Sequence, residues 1–338
     1  MAEVKPPEFV DIPFTVEPNY AGWRLDRYLC HKIQRLSRNK AQLIIKNSLI
    51  ADRPLKPSTL VKPGLHFKLR RRTLEEPETP TTLTELYLDD HILVVDKPAG
   101  LPMHPTARYH RGTLVTLLKV RYGEDFRADP AHRLDRETSG IIVCGRTLEA
   151  CQRLMRSFMG GEVHKEYLAV VEGAPPEDEF EVDAPIAEGT DAVRIAVRID
   201  RVVGKPSRTR FRVLQRFERD GEPFALVRAY PMTGRQHQIR IHLREAGYPI
   251  VGDKMYGPDM GYFDRFSRKC LEPEAWVRLR LPRQALHAAA LRLPHPHTGQ
   301  EMRFEAPLPE DLQAFLDGRR VLPDPAGTKD PVGVSPTV

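Results

Sequence analysis

A break in charge and composition at residues 74–84 constrains this chain more than any other feature of its sequence. Between Ala21 and Arg72, fourteen Lys and Arg residues face only Asp26 and Asp52. The next stretch, LEEPETPTTLT from Leu74 to Thr84, holds no basic residue and is built from Glu, Pro and Thr, the composition of a solvated, partly extended linker. At 338 residues the chain is longer than one core comfortably fills. The expected organisation is an N-terminal extension over 1–19, a basic domain over 20–73, a linker over 74–84, a large domain over 85–317 and a disordered tail over 318–338. The tail is rich in Pro and Gly and cannot bury a core.

The basic segment reads as two short helices followed by strands. Leu25, Tyr28 and Leu29 repeat at helical spacing, and Ser37 suits the N-cap of a second run holding Ala41, Leu43, Ile44 and Ile45. The whole chain carries a net charge of +6 with a pI near 9.1, which favours an anionic partner such as nucleic acid. Cys30, Cys144, Cys151 and Cys270 lie far apart with no C-x-x-C pair, so reduced, buried thiols are expected, not a zinc ribbon or a disulfide framework. The opening MAEVKPPEFVDIPF lacks an apolar core flanked by basic residues, and no later stretch approaches a membrane span. A soluble, cytoplasmic protein with no membrane partner is expected.

Beyond the linker, ILVVDKPAG and GIIVCGR read as buried strands, with LVTLLKVRYG helical between them. Leu148, Cys151, Leu154, Met155 and Phe158 share a face of a helix opened by Thr147 and stopped by Gly160 and Gly161; that stripe is predicted to be core. Strands at EYLAVV, RFRVLQRF and FALVRAYP, a helix in HQIRIHLREAG and a late strand at HAAALRL complete the pattern. Strands arriving singly among irregularly spaced helices indicate a mixed α+β sheet and not strict βαβ alternation.

Two strings concentrate chemistry. In HRLDRETSG, from His132 to Gly140, Asp135 sits between Arg133 and Arg136 in a polar loop leading straight into a buried strand. Flanking cations favour an ionised carboxylate, as a nucleophile or base requires; an ordinary surface ion pair has the same spacing. In TGRQHQIRIHL, from Thr233 to Leu243, Ile239, Leu243 and Ala246 share one helical face, so Arg240 and Arg244 project from another. A helical arginine can grip a carboxylate or phosphate in bidentate fashion. His237 and His242 are five residues apart, which does not place both rings on one helix face, so no metal is expected there. They read as structural groups or RNA contacts.

These strings occur in order with DKPAGLPMHP (Asp96 to Pro105), KEYLAVVEG (Lys165 to Gly173), GYPIVGD and RQALHAAALRLPHP (Arg283 to Pro296). Together, over about Glu85 to Asp311, they resemble the RluA family of RNA pseudouridine synthases. The resemblance implies the pseudouridine synthase fold, a mixed, largely antiparallel sheet with flanking helices and loops. It implies Asp135 as the catalytic aspartate, Tyr167 as the aromatic stacking on the target base, Arg240 as the ionic partner of Asp135 and Leu286 as an apolar pocket residue. His132, Arg133, Arg235 and His237 are the further candidate substrate contacts. Gln236 stands where the family usually has Thr or Ser, and Ser207 where Ala is more usual.

The basic segment resembles the RNA-binding domain shared by a small-subunit ribosomal protein and tyrosyl-tRNA synthetase, through WRLDRYL and LSRNKAQLIIKNSLI, without that domain's usual Asn-Gly turn. It makes Arg24, Arg38, Lys40 and Lys46 candidate RNA contacts. The implied reaction breaks the glycosidic carbon–nitrogen bond, turns the uracil and rejoins it through carbon five. Nothing is oxidised or hydrolysed, so no cofactor is expected, in agreement with a sequence lacking P-loop and Rossmann glycine strings. Asp135 could attack the anomeric carbon, abstract the neighbouring ribose proton or add to the base. Ribosomal RNA is favoured over transfer RNA as partner, and a monomer is the default. The competing readings are a non-catalytic RNA-binding or ribosome-assembly protein and a hydrolase with an aspartate nucleophile.

Overall fold

The computed structural model describes residues 9–33, 36–72, 76–106, 109–189, 196–268 and 270–322. The chain divides after Glu76 into two compact units. The first holds β1 (Phe9–Thr15), α1 (Leu25–Lys32), α2 (Arg38–Ser48), β2 (Leu49–Ile50) and β3 (His66–Arg72). The second begins with β4 (Thr84–Leu88), β5 (Ile92–Lys97), α3 (Leu114–Tyr122), β6 (Asp129–Pro130), β7 (Ser139–Gly145), α4 (Leu148–Gly160) and β8 (His164–Glu172). It continues with β9 (Glu179–Asp183), β10 (Ile186–Glu188), β11 (Val197–Ile199), β12 (Arg208–Arg219), β13 (Glu222–Pro231) and α5 (Gln238–Glu245). It ends with α6 (Tyr262–Ser267), α7 (Pro273–Leu279), β14 (Leu286–Pro294), β15 (Glu301–Glu305) and α8 (Glu310–Leu316).

In the first unit, Ser37 caps α2 by accepting the Lys40 N–H, and Leu25, Tyr28 and Leu29 of α1 pack with Ala41 and Ile45 of α2. Phe67 and Leu69 of β3 close that core. Within the predicted N-terminal extension, residues 9–15 form a strand: β1 pairs antiparallel with β3 along its whole length, Phe9 opposite Arg72 through to Thr15 opposite His66. Beneath the basic surface, Asp26 is fully buried and bound by Arg24 at 2.9 Å, Gln42 at 3.0 Å and Arg38 at 3.3 Å. Those contacts hold its carboxyl well below the usual range, the Arg24 hydrogen bond contributing most.

The second unit is built on one sheet in the order β4-β5-β7-β14-β8-β13-β12-β9, with β15 added to β14 and β6 to β7. Its ladders are antiparallel except where β7 meets β14, at Ser139–His287 and Gly140–Ala288. There the strands come very close. Gly140 has φ +115°, and a Cβ on it would sit 2.3 Å from the Ala288 carbonyl oxygen. Every residue of β7 is buried, which accounts for its unbroken apolar run, whereas β12 alternates exposed Arg208, Arg210 and Arg212 with buried Thr209, Phe211 and Val213.

Helix α4 is capped as predicted, Thr147 accepting from the Ala150 N–H and Gly161 adopting the left-handed conformation. Its stripe is not core throughout. At about 100° per residue, Ala150 and Leu154 centre the buried face, leaving Leu148 and Met155 beyond its edge at 57% and 46% exposure.

Three further expectations need correction. Leu83, inside the predicted linker, is buried against Leu93 and Leu101. Of the cysteines only Cys144 is buried; Cys270, just past α6, is exposed. At the tail, Arg319 donates its N–H to Ala314 and Val321 packs on the core, while 323–338 lie outside the described residues. No described helix is long and apolar enough to cross a membrane.

Candidate active site

The loop before β7, the middle of β8, the start of β14 and the first turn of α5 converge on a cleft of about 810 Å³ lined by Asp135, Tyr167, Leu286 and Arg240. His132, Arg133, Arg235 and His237 line it too, so all eight residues predicted for this site come together. Arg24, Arg38, Lys40 and Lys46 belong to the first unit.

Asp135 keeps 21% of its side chain exposed and binds Arg240 Nη1 through Oδ2 at 2.8 Å. The cations next to it in sequence are not its partners. Arg136 turns instead to the Tyr109 hydroxyl at 2.6 Å and Glu137 at 3.1 Å, and Arg133 is an exposed residue of the cleft wall. Burial opposes the Asp135 charge, but the field of His237 when that ring is protonated, the field of Arg240, and the hydrogen bonds from Arg240 and Gln284 outweigh it, so the carboxyl stays below its ordinary range. His237 is pushed down to about 4, chiefly by its own burial, and is neutral at neutral pH. Arg240 is then the charge that keeps Asp135 ionised.

Arg240 is itself clamped from behind. Its Nε and Nη2 reach the two oxygens of Asp253 at 2.6 Å and 2.8 Å, and its guanidinium lies 5.0 Å from the Tyr256 ring centre. Asp253 is fully buried and also accepts the backbone N–H groups of Met255 and Tyr256, each at 2.9 Å. Gly252 permits that turn with φ +75°, in a place where a Cβ would lie 2.0 Å from the Arg283 carbonyl oxygen. Burial works against both partners, yet mutual attraction raises Arg240 and lowers Asp253, so the pair stays charged.

Tyr167 sits in β8 opposite Ala229 on one side and Ala288 on the other, so small neighbours leave its ring room at the cleft. Burial, with the nearby Asp135 charge, pushes its hydroxyl up and keeps it protonated. His132 lines the wall but is tied to the scaffold. Its Nε2 accepts the Val143 N–H at 3.1 Å and its ring stacks on Phe158 at 4.6 Å, while burial pushes it down to about 3. Arg235 is exposed, with Nε 3.4 Å from the Pro206 carbonyl.

Sequence reasoning passed over Asp253, Gln284 and Tyr256. The Gly-Asp of GYPIVGD was their one visible signal, a turn where a buried acid can collect backbone N–H groups. It also passed over Lys97, fully buried at the end of β5, which donates to the carbonyls of Pro98, Leu101 and Arg136 at 2.9, 3.0 and 3.2 Å. Desolvation brings it down to about 7. Lys97 thereby ties the DKPAG turn to the loop carrying Asp135. Among the described residues no cluster of His, Cys, Asp and Glu could hold a metal.

A carboxylate paired with a braced guanidinium, with an aromatic ring lining the same open cleft, is an arrangement able to support chemistry by an acid side chain on a bound substrate. Comparison with known proteins fixes which. Residues 91–245 match the family described as RNA pseudouridylate synthase. An uncharacterized RNA pseudouridine synthase of Chloroflexus aurantiacus is 37% identical over 316 residues, covering 89% of this chain and 91% of that protein. Ribosomal large subunit pseudouridine synthase D of Nitrosomonas europaea is 37% identical over 322 residues, covering 92% and 89%. Among solved structures, Human RNA Pseudouridylate Synthase Domain Containing 1 aligns with a TM-score of 0.54 at 28% identity, covering 74% of this chain and 99% of that one. The chain belongs to the RNA pseudouridine synthases, isomerases that act on RNA.

Proposed function

We propose that this enzyme isomerises specific uridines of large-subunit ribosomal RNA, with Asp135 as its catalytic carboxylate. The observation that carries the reading is the chain of charge from Asp253 through Arg240 to Asp135, which ends on a carboxylate open to the cleft. A stacked uridine must be turned out to expose its sugar, at a cost of about a few kcal/mol. Tyr167 supplies the stacking surface that offsets part of this cost, and Leu286 the apolar wall. Arg133, Lys165, Arg210 and Arg235 line the same cleft, in which Asp135 is the one acid among the lining residues, a balance suited to phosphates.

The substrate class is supported by Nitrosomonas europaea and Pseudomonas aeruginosa relatives named for the large ribosomal subunit. The resemblance of the first unit to an RNA-binding domain of the ribosomal-protein and tyrosyl-tRNA synthetase type is the basis for reading it as a second RNA contact, with Arg24 at the N-cap of α1 and Arg38, Lys40 and Lys46 on α2. Mapping pseudouridine in total RNA from cells carrying wild-type or Asp135→Asn enzyme tests the whole reading. Specific large-subunit positions are expected to revert to uridine in the variant; identical maps would overturn the proposal, and losses confined to transfer RNA would overturn the substrate.

A further inference from the structure

Asp135 uses its two oxygens unequally. Oδ2 accepts from Arg240 Nη1 at 2.8 Å and has Gln284 Nε2 at 3.4 Å, so its lone pairs are committed. Oδ1 instead faces His237 Nε2 at 3.6 Å, beyond hydrogen-bond length. On the other side of the imidazole, Nδ1 lies 2.9 Å from the Tyr256 hydroxyl, and that hydroxyl accepts the Val197 N–H at 2.7 Å. An oxygen already accepting a backbone N–H is best satisfied by giving its own proton to Nδ1. The neutral ring then carries its proton on Nε2, aimed at Oδ1. The backbone holds it there at φ +52°, a left-handed conformation that costs a non-glycine residue energy, one position before the helix that carries Arg240.

We infer that His237, fixed as its Nε2–H tautomer by Tyr256, is a positioning residue that makes Oδ1 the reacting oxygen of Asp135 and donates a hydrogen bond to it once a uridine is seated. The inference rests on Asp135 being the catalytic carboxylate. Whether Asp135 bonds to carbon or takes a ribose proton, the electron pair comes from Oδ1, because Oδ2 remains on Arg240. A neutral donor at this distance orients the carboxylate without forming a second full ion pair, which would lower its reactivity. Hydrogen bonds of this kind are often long in the free enzyme and tighten in the substrate complex. The bent backbone at His237 places the donor, and Tyr256 selects which nitrogen presents it.

Two measurements on the full chain test the assignment. In protein labelled with ¹⁵N-histidine at pH 7, the signal lost in His237→Gln is expected to show a protonated Nε2 and a bare Nδ1, and Tyr256→Phe to shift it toward a tautomer mixture. In single-turnover assays at saturating RNA, Tyr256→Phe should slow the chemical step about 10-fold with RNA affinity unchanged. His237→Leu should slow it about 100-fold, and His237→Gln, whose amide can still donate toward Oδ1, should recover most of that loss. An Nδ1–H or doubly protonated ring at pH 7, or a wild-type rate in His237→Leu, would overturn the role of His237. Asp135→Asn is assayed beside them: an active Asp135→Asn overturns the carboxylate reading and this inference with it, whereas an inactive one beside a fully active His237→Leu overturns only the inference.

Discussion

At the scale of single residues, the site separates chemistry from stability. Asp135 is partly exposed and one of two acids on Arg240, so Asp135→Asn should abolish pseudouridine formation while leaving thermal stability within about 1 kcal/mol of wild type. Arg240→Ala is different, because it strands Asp253, fully buried, without its cation. Breaking a buried pair from one side costs about 3–5 kcal/mol, so that variant should melt far lower as well as lose activity. Comparable melting curves for the two variants would show that Asp253 does not depend on Arg240.

Acid should weaken the protein in two stages. Burial pushes His237 and His287 down to about 4 in the folded state, whereas unfolded histidine takes up its proton near 6.5. Between those values the unfolded chain binds more protons, so stability falls as pH drops from about 6.5 to about 4, by up to about 3 kcal/mol for each histidine. The lowered carboxyls of Asp135 and Asp253 add a further loss as pH falls below the unfolded carboxylate value of about 4. Denaturant midpoints measured across that range check the first stage, and His287→Gln should make its slope shallower. Asp135 and Arg240 stood out in the sequence because they fall in two dense polar strings, whereas Tyr167 and Leu286 joined them only through the resemblance to one family. Asp253 and Gln284 were not, since their importance lies in partners that only the folded chain supplies.

At the scale of elements, close approach decides which positions tolerate change. Gly140 occupies the parallel contact between β7 and β14, on the strand that follows the Asp135 loop. Gly140→Ala would force a methyl against the Ala288 carbonyl at an unfavourable φ, and should cost at least about 3 kcal/mol. Gly160, at the end of α4, has nothing within 4 Å of a built Cβ, so Gly160→Ala should be neutral or stabilising by up to about 1 kcal/mol. Equal melting temperatures for the pair would refute the close approach. Strands buried on both faces, β5 and β7, and the alternating β12 were readable because their patterns are long. β1 was missed because FVDIPFT carries a Pro and an Asp within its run, and its strand character comes from pairing with β3. The α4 stripe was misread because amphipathic spacing gives the direction of an apolar face but not the width of the surface available to cover it.

At the scale of the molecule, charge is divided between the units. The segment from Ala21 to Arg72 carries more excess positive charge than the whole chain, so the remainder is net acidic. On the second unit many arginines are already matched: Arg208 pairs with Asp183 and Glu181, Arg212 with Glu179 and Arg216 with Asp178. The excess positive charge that would attract a polyanion such as RNA is therefore concentrated in the first unit, and its cations should not behave alike. Lys46 is exposed on α2, so Lys46→Ala should lower the slope of log affinity against log salt by about one while leaving the melting temperature unchanged. Arg24 is the principal partner of buried Asp26, so Arg24→Ala should weaken RNA binding by destabilising the first unit and appear in the melting curve before any change in slope. Salt titrations of both variants against a ribosomal RNA fragment distinguish these outcomes. An unchanged slope for Lys46→Ala would remove α2 from the RNA surface, and a lowered slope with unchanged melting for Arg24→Ala would show that Arg38 and Gln42 hold Asp26 without it.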